Sequence, residues 1–241
     1  MPAPRRPAGE KERLAALHDY DVLDSEAEQT TDDLVHLAGR IAGTPISLIS
    51  LMDAERQWFK ASEGFDATET PRETSFCGWA ILDSEPLIVP DALEDDRFSD
   101  NPTVLGDPNI RFYAGYPLIT PNGHGLGTLC VLDTVPGQLS DEQHEDLARL
   151  ARLVMTHLEA RRNATRLAEA LREVRALGEL IPICAHCRRI REDDAYHRTL
   201  EQWLHEHTGA RVSHGICPDC MHEHFPEFAD VRDDTKQRNA G

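Results

Sequence analysis

No apolar run in this 241-residue sequence approaches the ~20 residues that span a bilayer, so a membrane-crossing helix is not expected. A secretory leader is not expected either. Met1-Pro-Ala-Pro-Arg-Arg-Pro has basic residues with no apolar stretch behind them, which points to the cytoplasm. A concentrated cationic face is also missing. With a formal charge of −18 the chain is a poor partner for nucleic acid or an anionic membrane, because phosphate contact needs clustered cations. The acidic balance serves solubility. There is no G-x-x-x-x-G-K-[ST] loop and no G-x-G-x-x-G turn after a strand, which removes the common nucleotide-binding sites.

What is present suits one medium domain plus something small, since 40% apolar content supports an ordinary core. Residues 1–9 are Pro/Ala/Arg-rich and are expected to be disordered. Glu10 to Tyr20 predicts a short helix with Leu14 and Leu17 on one side. Ser25-Glu-Ala-Glu28 has capping-box spacing ahead of Leu34, Leu37, Ala38 and Ile41, and Gly43 ends that helix. Pro45 to Met52 alternates apolar with small or polar residues, the pattern of a half-buried strand, and Gln57 to Ser62 pairs with it. Glu69 to Leu82 runs from a loop into a short helix, Pro86 to Pro90 is a brief strand, and Asp91 to Asp107 is an acidic loop whose sole cation is Arg97. Ile110 to Leu118 and Gly125 to Leu132 form a second hairpin. Short connections between strands indicate an antiparallel sheet and an α+β class.

Seven blocks of this region carry a resemblance. Thr44-Pro-Ile-Ser-Leu-Ile-Ser-Leu-Met-Asp53, Arg56-Gln-Trp-Phe-Lys60, Glu69-Thr-Pro-Arg72, Ser75-Phe-Cys-Gly78, Val89-Pro-Asp91, Ile110-Arg-Phe-Tyr-Ala-Gly115 and Gly127-Thr-Leu-Cys-Val-Leu-Asp133 are similar to bacterial GAF domains of the subgroup attached to sensor kinases and cyclic-di-nucleotide enzymes. The resemblance implies a GAF-like sheet with flanking helices over residues 10–139, and a small-molecule cavity between the sheet's other face and the loops. Candidate ligand residues are Trp58, Phe76, Cys77, Arg111 and Tyr113. Strand alternation sets Arg111 and Tyr113 on one face and Phe112 and Ala114 on the other. Arg111 either clamps an anion or ties to Asp95 or Asp96 of the acidic loop. Cys77 lies near a helix start, where a thiolate is stabilised, and nothing in the sequence marks a resolving partner for it; Cys130 reads as a small buried hydrophobe. Bilin-attaching relatives follow the linking cysteine with histidine, but Gly78 and Val131 stand there, so a chromophore is not expected. His144-Glu145 resembles the phospho-acceptor box of sensor kinases in its first two residues only, and reads as a solvated first-turn pair.

Residues 140–180 predict one long coiled-coil-like helix, capped by Ser140 and Gln143. Its apolar seam runs through Leu147, Leu150 and Val154, slips phase near His157, and resumes through Ala160, Ala164, Leu167, Leu171 and Val174. Two readings stand: a helix that joins two protomers, or one that lies back on its own domain. Residues 181–228 hold Cys184, Cys187, Cys217 and Cys220 as two C-x-x-C pairs, the spacing of a small zinc module. Iron or an iron–sulfur cluster also suits four thiolates, and His186 and His214 are competing ligands. The intervening residues predict a helix through Tyr196, Leu200, Trp203, Leu204 and His207, and residues 229–241 form a polar tail expected to be disordered. Together these features indicate a sensing protein that forms a homodimer and meets a protein partner, with no output enzyme in the chain. The competing reading is a thiol-dependent redox enzyme, similar to the GAF lineage that reduces free methionine sulfoxide, using Cys77 or the C-x-x-C pairs.

Overall fold

The structure, a computed structural model, describes residues 2–178, 189–192, 195–209, 211 and 216–229. Two compact units divide the chain, Met1–Arg172 and Glu173–Gly241. The first begins with helices α1 (Glu10–Asp19) and α2 (Gln29–Ala42), followed by strands β1 (Ile46–Met52), β2 (Arg56–Glu63) and β3 (Glu69–Pro71). After a 3-10 turn at Arg72–Thr74 come the short helix α3 (Cys77–Ala80), strand β4 (Leu87–Val89), helix α4 (Pro102–Leu105), and strands β5 (Phe112–Ile119) and β6 (Gly125–Asp133). The long helix α5 (Asp141–Gly178) completes the order. The six strands form one antiparallel sheet in the order β3-β2-β1-β6-β5-β4.

Both faces of this sheet are covered, by cores of different character. On one side α1, α2 and α5 pack Leu17, Val35, Leu147 and Val154 against Ile49, Leu51, Leu129 and Val131. On the other, the loops around α3 and α4 pack Phe76, Phe98 and Val104 against Leu48, Tyr113 and Cys130. Each fully buried Leu or Val contributes roughly 1.5–3 kcal/mol, so the alternating strands draw on both cores. The expected half-buried strand is therefore corrected: all seven residues of β1 are buried. Its serines are satisfied by hydrogen bonds and not by solvent. Ser47 donates to the Val35 carbonyl at 2.9 Å, and the Ser50 and Thr128 hydroxyls meet at 3.1 Å.

The caps follow the expectation at one end and depart from it at another. Gly43 ends α2 at φ 72, where a left-handed residue is needed, and Ser140 and Gln143 exchange the two hydrogen bonds that open α5. Ser25 does not open α2. Its hydroxyl donates to Val22 and accepts from Lys60, while Glu28, at the N-cap position, makes no side-chain cap. Glu28 is held instead by three cations or cation-capable groups: Lys60 at 2.6 Å, His157 at 2.9 Å and Arg161 at 3.1 Å. The Lys60 side chain is wholly buried, so this ion pair is its main compensation.

In the second unit, strands β7 (Arg189–Glu192) and β8 (Ala195–Thr199) pair antiparallel, followed by α6 (Leu200–Thr208), α7 (Pro218–His224) and α8 (Pro226–Ala229). The helix expected through Tyr196 is corrected. Tyr196 lies in β8, and the helix starts only where Thr199 and Gln202 form a capping box.

Candidate functional site

The non-helical face of the sheet bounds a partly open cavity of about 50 Å³, lined among others by Phe59, Phe76, Cys77, Ile110, Tyr113 and Cys130. By the measure in which roughly 10–15 Å³ holds one water, it has room for a few small molecules of that size. Its walls are mainly apolar and aromatic. Phe76 stacks on Phe98 with centroids 4.1 Å apart and on Tyr113 at 5.0 Å, which fixes the mouth of α3 over the sheet.

At the inner end two sulfurs approach each other. Cys77 Sγ lies 3.8 Å from Cys130 Sγ, accepts from the Thr128 hydroxyl at 3.0 Å and accepts from the Tyr113 hydroxyl at 3.3 Å. Cys77 and Cys130 are each about 1% exposed. Burial raises the Cys77 thiol, but hydrogen bonds from Cys130, Ser50, Thr128 and Tyr113 outweigh it and bring the group down to about 6. Cys130 is shifted the opposite way, by its burial and then by the charge on Cys77. The Tyr113 hydroxyl is also pushed well up, burial first and the two sulfurs next. The pair is therefore asymmetric: hydrogen bonding favours the charged form at Cys77, and burial favours the protonated form at Cys130.

The strand pattern explains how this cluster forms. Ser50 pairs across the sheet with Thr128, and Leu48 with Cys130, so a period of two brings hydroxyl and thiol to the same face. Gly115 stands opposite Cys130. A Cβ there would lie 2.0 Å from the Tyr113 oxygen, so the missing side chain is what lets the ring swing its hydroxyl toward Cys77.

Three of the five sequence candidates, Phe76, Cys77 and Tyr113, line the cavity. Trp58 does not: it packs into the helix-side core, while its neighbour Phe59 takes the cavity face. Arg111 is committed elsewhere. One guanidinium nitrogen donates to the carbonyls of Val104, Asn109 and Ile110, capping the end of the acidic loop's path, and Asp95 is paired with Arg97 instead. The tie to Asp95 is not formed. Cys130, Thr128 and Ser50 were missed, and with them the partner sulfur for Cys77. His144 is half-buried, its Nδ1 2.7 Å from the Tyr116 hydroxyl, and not simply solvated.

Of the expected metal ligands, Cys184 and Cys187 lie outside the described residues, as do the competing His186 and His214. Cys217 is the N-cap of α7, and its sulfur accepts the Cys220 backbone N–H at 3.5 Å. Both thiols are exposed, and Cys217 is held below the usual thiol range, chiefly by the backbone N–H of Cys220. Among the described residues no three His, Cys, Asp or Glu converge as a metal set. No helix among them is long and apolar enough to cross a membrane.

A cyclic di-GMP phosphodiesterase of Pseudomonas aeruginosa is 42% identical over 170 residues, 70% of this chain; the chain spans only 29% of that relative's length. A bacteriophytochrome from R. palustris shares the fold with a TM-score of 0.50 at 14% identity, over 73% of this chain and 42% of that one. A free methionine-R-sulfoxide reductase of Neisseria meningitidis gives 0.48 at 19% identity, over 68% and 99% of the two chains. The GAF domain profile matches residues 26–158, more than half of the sequence, ending on the last helical residue buried against the sheet. By that match, with which the six-stranded sheet is consistent, the chain belongs to the GAF domain family.

Proposed function

We propose that this is a cytoplasmic signal-transduction protein whose GAF domain takes its input at the cavity beside Cys77 and passes it to a partner protein through α5 and the cysteine-rich end. The observation that carries this reading is the cavity itself, built on the sheet face opposite α5 and holding the one cluster of mutually tuned thiol and hydroxyl groups among the described residues. A cavity of about 50 Å³ suits a very small ligand or a reactive species. Reduction of free methionine sulfoxide would need room for a whole amino acid beside Cys77, more than a few water-sized spaces supply. The relative named as a phosphodiesterase supports a signalling context.

Two further parts belong to the proposal. Leu167 and Leu171 remain exposed on α5, at the spacing of a helix-packing seam, which supports a homodimer through that stretch. Cys184, Cys187, Cys217 and Cys220 are proposed to hold Zn²⁺. The fit rests on the soft donor set and on the N–H to sulfur contact at Cys217, which orients one thiolate as metal sites require. Zinc would supply folding energy there and no catalysis. Native mass spectrometry of the protein as purified from cells tests both: a dimer with one zinc per chain is expected. A monomer at every concentration removes the dimer, and a metal-free chain removes the zinc. For the sensing role, Ile110→Trp fills the cavity and is expected to abolish any ligand-dependent change in hydrogen exchange at α3; an unchanged response would place the input elsewhere.

A further inference from the structure

The geometry points to a chemical input site: we infer that Cys77 and Cys130 form a peroxide-sensing dithiol that closes to a disulfide inside the GAF cavity. The two sulfurs are 3.8 Å apart, against about 2.05 Å in a disulfide, so closure needs a shift of under ~2 Å. Cys77 begins α3, a helix of four residues, and is the more movable partner; Cys130 is mid-strand in β6, paired on both sides. The inference deepens the sensing reading by naming the species sensed.

The reaction balances with one co-reactant, a hydroperoxide. The Cys77 thiolate attacks one peroxide oxygen, the O–O bond breaks, and the leaving hydroxide takes a proton to become water, leaving Cys77 as its sulfenic acid. The Thr128 and Tyr113 hydroxyls, which donate to Cys77 Sγ, hold the thiolate in place for that attack. The Cys130 sulfur then attacks the Cys77 sulfur, the S–O bond breaks, and hydroxide leaves with the Cys130 proton as a second water. Two thiols lose two electrons and the peroxide gains them. Cavity size selects the oxidant: about 50 Å³ with mainly apolar walls admits hydrogen peroxide, which is small and neutral, and obstructs bulky alkyl hydroperoxides.

The full-length reduced protein provides the test. Trypsin releases residues 73–97 and 112–149 as separate peptides, each with one cysteine. After hydrogen peroxide they are expected as a single linked species two hydrogens lighter than their sum. In Cys130→Ser the reaction should stop at Cys77, trapped by dimedone on the 73–97 peptide. Thr128→Val, whose folding is checked by circular dichroism, should slow linkage about tenfold. Cumene hydroperoxide should act at least tenfold more slowly than hydrogen peroxide. Recovery of both peptides unlinked, under peroxide that fully oxidises added glutathione, overturns the inference; so does linkage that appears only in denaturant. A protein that failed here yet kept the ligand-dependent exchange at α3 would lose the dithiol and retain the sensing role.

Discussion

The two halves of α5 carry much the same apolar spacing and meet opposite fates. From Leu147 to Leu158 the seam is buried: Leu147, Leu150, Ala151, Val154, Met155 and Leu158 close the helix-side core. From Ala160 onward the described seam is bare, with Ala160, Ala164, Leu167 and Leu171 all exposed. Contacts with the domain continue past Leu158, but they are polar. Tyr20 donates to Glu159 at 3.0 Å, Arg161 donates to the Asp21 carbonyl at 2.7 Å, and Arg166 pairs with Asp19. The change falls at His157, where the sequence slips phase and the side chain meets Glu28. The helix lies back on its own domain for its first half and offers an uncovered edge in its second. A heptad-like pattern states that an edge is apolar. It does not state what covers it.

That comparison can be broken in several places, beginning where the effect should be largest. Glu28→Ala removes the main counter-charge of a wholly buried Lys60 and should destabilise the domain by about 3 kcal/mol, read by urea denaturation. Adding Lys60→Met should recover most of that loss, because no buried charge is then left unpaired; failure to recover would show that Glu28 acts through His157 and Arg161 instead. Leu147→Ala, in the packed half, should cost about 2–4 kcal/mol from lost burial and the cavity left behind.

Acid provides a smaller lever on the same junction. Burial raises the Glu28 carboxyl, but Lys60, His157 and Arg161 outweigh it and hold it below its ordinary 4.5. A depressed carboxyl stabilises the fold fully above its unfolded value and loses that contribution as pH falls through the lower folded one. Thermal melts of wild type and Glu28→Gln should therefore differ most above the ordinary carboxyl value of 4.5 and converge as pH falls through the lowered folded one. Least of all should be felt by the free half. Leu167→Lys with Leu171→Lys is expected to shift the domain's stability by under ~0.5 kcal/mol, since both residues are exposed. The same pair should dissociate a dimer on native mass spectrometry; a dimer that survives it does not use this edge.

Much of the fold was legible because period-two strands and short connections leave few alternatives for an antiparallel sheet. What failed did so for identifiable reasons. Ser25 has capping-box spacing, but Lys60 needs its hydroxyl from a distant strand. Tyr196 sits at helical spacing from Leu200, and it is equally compatible with a strand that ends just before the helix begins. Within the site, Phe76, Cys77 and Tyr113 could be found from local blocks. Cys130 as partner could not, because 53 residues separate it from Cys77 and only strand pairing brings them together. A usable signal was present nonetheless. Ser50 in β1 and Thr128 and Cys130 in β6 all stand at alternate positions, polar or sulfur-bearing where the neighbours are aliphatic. Arg111 misled because a long cation can stabilise its own loop by capping carbonyls, a role with no sequence signature.

Between the cavity and α5 stands a sheet whose alternation has a mechanical meaning. Cys130 faces the cavity, while Leu129 and Val131 on either side of it face the core that α5 completes. The partition is one peptide thick. Closure of the proposed disulfide would load the Cys130 backbone, and the two aliphatic neighbours would carry that load to the face that α5 covers.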